Sequence, residues 1–236
     1  EAQHIAQATD DHKLMAATML TLANIHRRQR HWPAALTAAQ EAYRLYRQLN
    51  QPAFTTRAHL TMLHIWAELG NWQKVAEVGR ELTAMLTATG NIVTLMQVKN
   101  NIGIAAFNQK KYRQAEQSWQ EALNLLSQMQ EPAEEANLYN NLGMVYIHLG
   151  ELATAESMLN KAAHIYEALG DTYHWANALD NLADVHEHHD DLPTCRHTLQ
   201  TAVAGLQPIA TTRQAKTLLT AMQNRLAALP PATNAA

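Results

Sequence analysis

Apolar residues recur along the chain at spacings of three, four and seven, which is the period of an α-helix. One such stripe runs through Leu138, Leu142 and Val145, and after a break at Gly150 a second stripe begins at Leu152. No stretch alternates between apolar and polar residues with a period of two. The pattern therefore predicts paired helices and no strands.

The same pattern returns every 40 residues without a gap. One column of this repeat holds Thr21, Thr61, Asn101, Asn141 and Asn181, and a column of small residues holds Ala35, Val75, Ala115, Ala155 and Cys195. Small side chains at a crossing let two helices pack closely. A fixed period of this length indicates stacked helix pairs, each too small to bury its own apolar face.

The register divides the chain into five complete repeats with partial units at both ends. The predicted boundaries are a truncated second helix of a preceding repeat at 1–10, repeats at 11–50, 51–90, 91–130, 131–170 and 171–210, a C-terminal capping helix at 211–229 and a tail at 230–236. Because residues 1–10 align with the second half of a repeat, we expect the chain to be part of a longer protein. Glycines, Asn50 and Asp10 hold the column where left-handed helix ends are expected.

The fourth repeat carries the most specific motif. It consists of Asn141, Leu142, Gly143, Tyr146, Gly150, Leu152, Ala155, Leu159 and Ala162. This motif resembles the tetratricopeptide repeat, and the resemblance extends over essentially the whole chain, although Arg30 and Asp190 replace the turn glycine in two repeats. The length of 40 residues is similar to the long variants found in kinesin light chains, in bacterial signal-transducing ATPases of the STAND type and in transcriptional activators. The resemblance implies an all-α fold, a right-handed α-solenoid of helix pairs.

The resemblance also implies that one arc of each first helix lines a concave surface that binds peptides. We call this surface the first-helix arc, meaning the positions equivalent to Asn137, Asn140, Asn141, Met144, Ile147 and His148. The predicted site residues are Arg57, Asn100, Asn101, Ile104, Phe107, Asn137, Asn140, Asn141, Met144, Ile147, Asn181 and Asp184.

Two interpretations of these residues stay open. Asparagine both donates and accepts hydrogen bonds, which suits an extended peptide, but the same amides could instead link neighbouring repeats. Four of the predicted site residues are large and apolar and could form an interaction patch, namely Ile104, Phe107, Met144 and Ile147. They could equally pack against second helices.

Charge is distributed unevenly along the arc. Basic residues lie in the first repeats and acidic residues in the fifth, namely Arg27, Arg28 and Arg57 against Asp180, Asp184 and Glu187. His64, Ala67 and Glu68 hold arc positions in the second repeat. Such a distribution would orient a ligand that has one acidic and one basic end; ordinary solvated charge is the alternative.

The composition and the motifs of the chain limit the classes of function that we expect. The chain has 18 basic and 21 acidic residues and no basic stripe, so we expect no nucleic-acid or membrane partner. The presence of a single cysteine, Cys195, agrees with a reducing compartment, so we expect a cytoplasmic location. Its place in the small-residue column favours a packing role. We expect His186, His188 and His189 to point in diverging directions, and the sequence has no phosphate-binding loop and no nucleophile motif. We therefore predict no metal, no cofactor and no catalytic residue, that is, a protein that is not an enzyme.

These observations predict a protein- or peptide-binding module, the C-terminal sensor or docking region of a larger regulatory protein. One alternative is a superhelix that senses a small-molecule effector in a signal-transducing ATPase or transcriptional regulator. Another is a scaffold that self-associates through the ends of the solenoid.

Overall fold

The computed structural model describes residues 2–127 and 129–230, without the side chains of residues 2–10. Within these residues the chain forms α-helices, one short 3-10 helix (Gln207–Ile209) and no strand, so the predicted all-α fold is confirmed. The helices are α1 (Ala2–Arg28), α2 (Trp32–Gln48), α3 (Pro52–Glu68), α4 (Trp72–Thr89), α5 (Ile92–Asn108), α6 (Tyr112–Leu126), α7 (Pro132–Leu149), α8 (Leu152–Leu169), α9 (Thr172–His188), α10 (Leu192–Leu206) and α11 (Arg213–Ala228). Of the predicted tail, residues 231–236 lie outside the described residues.

The chain forms two compact units, Glu1–Ala122 and Leu123–Ala236. In the first unit, a buried cluster joins Leu63 of α3, Leu82 of α4 and Val98 of α5. In the second unit, Leu199 of α10 and Met222 of α11 are fully buried in one cluster. Each unit thus buries its apolar stripes between consecutive helices, which no single helix pair could do alone.

Left-handed residues end most of the helices. Gly150 and Gly170 have φ of 75° and 68°, and the residues that replace the turn glycine, Arg30 and Asp190, adopt φ of 60° and 55°. Two of these four positions therefore keep the left-handed turn without glycine, at some conformational cost. Asp10 differs from the expectation, because α1 runs without interruption from Ala2 to Arg28.

The small-residue column lies at the helix crossings. Ala35, Ala155 and Cys195 are fully buried. A Cβ atom built on Gly143 would lie 2.5 Å from Cγ of Leu159, so a first helix and its partner are in direct contact there. This close approach is the physical reason for a glycine inside a helix, where it otherwise costs about 1 kcal/mol relative to alanine.

Candidate binding site

A cavity in the first unit collects arc residues from three helices. Its volume is about 470 Å³, and it is lined by Arg27 of α1, His64, Ala67 and Glu68 of α3, and Asn101 of α5. These helices are the first helices of three successive predicted repeats, and all five residues hold arc positions. Among the predicted site residues, only Asn101 lines this cavity.

The polar groups of the cavity differ in charge and in hydrogen bonding. Nε of Arg27 is buried and has no hydrogen-bond partner in the part of the chain that the structure describes. Burial lowers the pKa of His64, the positive charge of Arg27 lowers it further, and Glu68 opposes both effects. His64 is therefore neutral at neutral pH and can donate one hydrogen bond and accept another.

The amide of Asn101 is partly engaged in its own helix, since Nδ2 donates to the carbonyl of Gln97 at 2.8 Å. Together with Arg27, His64 and Glu68, it surrounds a space whose size is typical of ligand sites. A guanidinium, a neutral imidazole, a carboxylate and a carboxamide can bind the amide groups and a charged group of a polar ligand.

Other predicted site residues of the first unit take structural positions. Oδ1 of Asn100 accepts a hydrogen bond from Nε1 of Trp119 at 2.9 Å, which joins α5 to α6. The ring of Phe107 packs 5.6 Å from that of Tyr112 and 6.0 Å from that of Trp119. Arg57 is exposed, and Ile104 is half-buried. Phe107 therefore favours the alternative in which the apolar arc residues pack against a second helix.

Three asparagines of the second unit make hydrogen bonds between helices. Nδ2 of Asn181 donates to Oδ1 of Asn140 at 3.0 Å, which links α9 to α7 across adjacent predicted repeats. The hydroxyl of Tyr166 on α8 donates to Oδ1 of Asn137 at 2.8 Å. The contact between Asn181 and Asn140 supports the alternative that these amides link neighbouring repeats, whereas the contact of Asn137 lies within one predicted repeat. Asn141 is half-buried on α7.

Met144 and Ile147 are also half-buried. The sulfur of Met144 lies 3.9 Å from Nδ2 of Asn140, and Ile147 packs against the cluster that contains Leu159 and Leu182. Part of the surface of each side chain therefore contributes to packing within the second unit.

The acidic residues of the fifth repeat form an ion-pair cluster with α11. Arg225 contacts Asp180 at 2.6 Å, Asp184 at 2.5 Å and Glu187 at 3.1 Å. Burial raises the pKa of Asp180 and Asp184, and the positive charge of Arg225 offsets part of that rise. One positive charge of the same chain therefore neutralises part of the predicted acidic end of the arc.

Sequence analysis missed the role of Arg225, although a signal was present. Arg225 lies 40 residues after Val185 and 80 after Val145, both fully buried, so a charged residue occupies an apolar column. Buried charges are found only with partners, and the nearest acidic arc positions belong to the fifth repeat. The Trp119–Asn100 contact had no comparable signal.

Two models of the tetratricopeptide repeat match the sequence, one over residues 134–207 and the other over residues 15–54 and 95–127. Together these matches span more than half of the chain. The chain therefore belongs to the tetratricopeptide repeat family. Members of this family are in general non-catalytic scaffolds. A comparison with curated proteins gives no significant match.

Solved tetratricopeptide repeat structures share the fold. A STAND signal-transduction ATPase with a tetratricopeptide repeat sensor, from Pyrococcus horikoshii, is 15% identical with a TM-score of 0.73, over 86% of this chain and 31% of that chain. A protein of Podospora anserina assigned as a kinesin light chain is 12% identical with a TM-score of 0.69, over 85% of this chain and 95% of that one. These two confirm the predicted resemblance in fold.

A third structure contains a bound partner. A Rap protein complexed with Competence and Sporulation Factor is 12% identical with a TM-score of 0.59, over 91% of this chain and 65% of that chain. At such low identities the likeness concerns the fold alone.

In the described residues, no helix combines the length and the apolar character needed to cross a membrane.

Proposed function

We propose that this tetratricopeptide repeat chain is a non-enzymatic binding module that captures a protein or peptide segment on its first-helix arc. We further propose that it acts in the cytoplasm as the sensor or docking region of a larger regulatory protein. The observation that carries the proposal is the cavity of about 470 Å³ lined by Arg27, His64, Ala67, Glu68 and Asn101.

The buried Nε of Arg27 supports binding at this cavity. A buried donor without a partner costs folding free energy, and a ligand that accepts its hydrogen bond recovers that cost. A polar segment bound there would also replace water around the neutral His64 and the amide of Asn101. The arc residues of three helices would each contribute one contact, which is how stacked repeats bind extended segments.

Several predicted site residues contact other helices, and this changes the part that we expect them to play in ligand binding. Asn100, Asn137, Asn140 and Phe107 each contact another helix, so we expect them to shape the surface more than to contact the ligand directly. We assign the ligand contacts of the first unit to Arg27, which lines the cavity, and to the predicted Asn101 and Arg57. Of these residues, Arg27 allows the most direct test of the proposed binding site.

The test compares binding by Arg27→Ala with a matched control, Arg47→Ala, which removes an exposed arginine of the second helix α2. Proteins retained by the immobilised wild-type chain are identified by mass spectrometry, and a peptide from the bound region is titrated by fluorescence anisotropy. We expect Arg27→Ala to weaken binding about tenfold or more, as expected for loss of a charge-assisted hydrogen bond. We expect Arg47→Ala to bind like the wild type.

Normal peptide affinity of a folded Arg27→Ala variant would contradict the proposal. Retention of a small molecule and of no protein would favour the effector-sensing alternative. Light scattering that shows a stable oligomer, with Arg27→Ala unchanged, would favour self-assembly.

A further inference from the structure

A second cavity of the first unit lies on a different face of α5 from the first-helix arc. Its volume is about 440 Å³, and α4, α5 and α6 form its walls. It is lined by Lys99, Ile102 and Ala106 of α5 and by Gln109, which directly follows that helix. None of these positions belongs to the arc, so this cavity is separate from the proposed peptide site.

The cavity has an excess of positive charge. Arg80, Lys99 and Lys111 line it together with a single acidic residue, Glu121, whereas the whole chain has a formal net charge of −3. Nζ of Lys99 lies 2.5 Å from a carboxylate oxygen of Glu121, so these two charges neutralise each other. The charges of Arg80 and Lys111 are left without an acidic counterpart among the residues that line the cavity.

Hydrogen bonds hold the lysines in place. Nζ of Lys111 donates to Oε1 of Gln109 at 2.8 Å, and Nε2 of Gln109 donates to the carbonyl of Trp72 at 3.2 Å. This chain of contacts connects the lysine to the start of α4. A cation that is fixed before binding loses less conformational entropy when an anion arrives.

A similar arrangement fixes the carboxylate of Glu121. It accepts a hydrogen bond from Nε2 of Gln117 at 3.0 Å in addition to its contact with Lys99. Burial raises the pKa of Glu121, but the hydrogen bonds from Lys99 and Gln117 and the charge of Lys99 together outweigh it, so the net shift of this pKa is downward. Glu121 therefore stays ionised, and it compensates Lys99 and not the two remaining cations.

The lining also contains apolar groups. Ile102 is half-buried and Ala106 is 5% exposed, and both line the cavity beside Ala76. A cavity of this volume is much larger than an inorganic anion needs, and it falls within the range of small-molecule sites. An apolar surface beside two cations fits a ligand with an uncharged body and a strongly anionic group.

We propose that this cavity binds a small organic phosphate. A phosphate monoester carries close to two negative charges at neutral pH, which matches Arg80 and Lys111, the two cations that have no acidic partner in the lining. A carboxylate carries only one. The apolar part of the lining contacts the organic body.

The test is isothermal titration calorimetry of the whole chain with adenosine monophosphate, adenosine and inorganic phosphate as probes. The variant Arg80→Gln/Lys111→Gln removes both cations, and Lys110→Gln, one residue away and outside the lining, removes a matched charge. We expect saturable binding of adenosine monophosphate, weaker binding of inorganic phosphate and no binding of adenosine. We expect the double variant to lose at least about tenfold in affinity and Lys110→Gln to keep it.

Affinity should also fall as salt is added, because exposed cations are screened. Absence of saturable binding of adenosine monophosphate would overturn the proposal, as would equal losses in the double variant and in Lys110→Gln. Saturable binding of a phosphoserine peptide without binding of adenosine monophosphate would overturn it too, since the site would then recognise a protein. Unchanged circular dichroism of the double variant shows that it remains folded. A normal affinity for the peptide of the arc would show that the two sites are independent.

Discussion

The indole nitrogen of Trp119 donates a hydrogen bond to Oδ1 of Asn100 at 2.9 Å, and the Trp119 side chain is only 2% exposed. The same ring covers Gly103, one helical turn later on α5. A Cβ atom built on Gly103 would lie 2.5 Å from Nε1 of Trp119. The absence of a side chain at Gly103 and the amide at Asn100 therefore fix the position of one tryptophan between α5 and α6.

We predict that Gly103→Ala destabilises the protein. Trp119 is hydrogen-bonded and buried, so it cannot move away cheaply, and overpacking of this kind costs about 1–3 kcal/mol. The gain in helix propensity returns only about 1 kcal/mol. These two contributions leave roughly 0–2 kcal/mol, so urea denaturation should show a net loss of about 1 kcal/mol in the free energy of unfolding.

Gln97→Ala is the control for Gly103→Ala, because it changes an exposed residue of the same helix. It should alter stability by about 0.5 kcal/mol or less. A Gly103→Ala variant that is as stable as the wild type would show that the glycine is not needed for the packing of Trp119.

The hydrogen bond between Asn140 and Asn181 gives a second prediction. If it links adjacent repeats, a double-mutant cycle with Asn140→Ala and Asn181→Ala should give a coupling free energy of about 0.5–1.5 kcal/mol. Thermal or urea unfolding measures each corner of the cycle. A parallel cycle that pairs Asn181→Ala with Asn160→Ala, at an exposed position of α8, should be additive. Additivity in the first cycle as well would mean that the hydrogen bond between the two asparagines does not contribute to stability.

The 40-residue repeat and the helical period of the sequence predict some features of this structure and not others. Periodicity shows which face of a helix a residue occupies, so the turn positions, the helix pairs and the crossing at Gly143 follow from the column pattern. It does not show which neighbour a side chain reaches. Asn100 and Asn140 share one column, yet the first bonds to Trp119 on its own partner helix and the second to Asn181 on the next first helix.

The candidate site illustrates the same limit. His64 follows Arg27 by 37 residues, Asn101 follows His64 by another 37, and all three lie on the arc. Their common orientation is predictable from the register. Their enclosure of one cavity depends on side-chain rotamers and on the exact crossing of α1, α3 and α5, which a sequence pattern does not specify.

Arg225 provides a third prediction. Arg225→Ala leaves three carboxylates close together without a cation, so we expect α11 to pack less firmly and the protein to lose about 2 kcal/mol of stability. The ion pairs are partly exposed, which is why this figure lies below that for a fully buried pair. Hydrogen exchange should become faster in α11 before it changes in α7 or α8.

Arg213→Ala removes an exposed arginine from the same helix and serves as the control for Arg225→Ala. It should leave both stability and exchange in α11 nearly unchanged. Equal exchange rates in α11 for wild type and Arg225→Ala would show that apolar contacts such as those of Met222 hold the helix without the ion pairs.

The last prediction concerns acid sensitivity and rests on His59, whose side chain is 4% exposed. Burial lowers the pKa of His59 below its ordinary value of 6.5, and Glu81, 3.5 Å away, opposes part of the shift. The unfolded chain therefore takes up a proton at His59 before the folded chain does. Its contribution to stability is present above pH 6.5 and is lost as the pH falls through the folded-state pKa.

We therefore expect the free energy of unfolding to decrease when the pH is lowered from about 7.5 to about 5, a range in which His64 acts in the same direction. His59→Gln, which cannot titrate, should make this dependence less steep in urea denaturation followed by circular dichroism. His164→Gln changes an exposed histidine and should leave the slope as it is in the wild type. An unchanged slope in His59→Gln would mean that the buried imidazole does not resist protonation, and the acid sensitivity would then have to come from other groups.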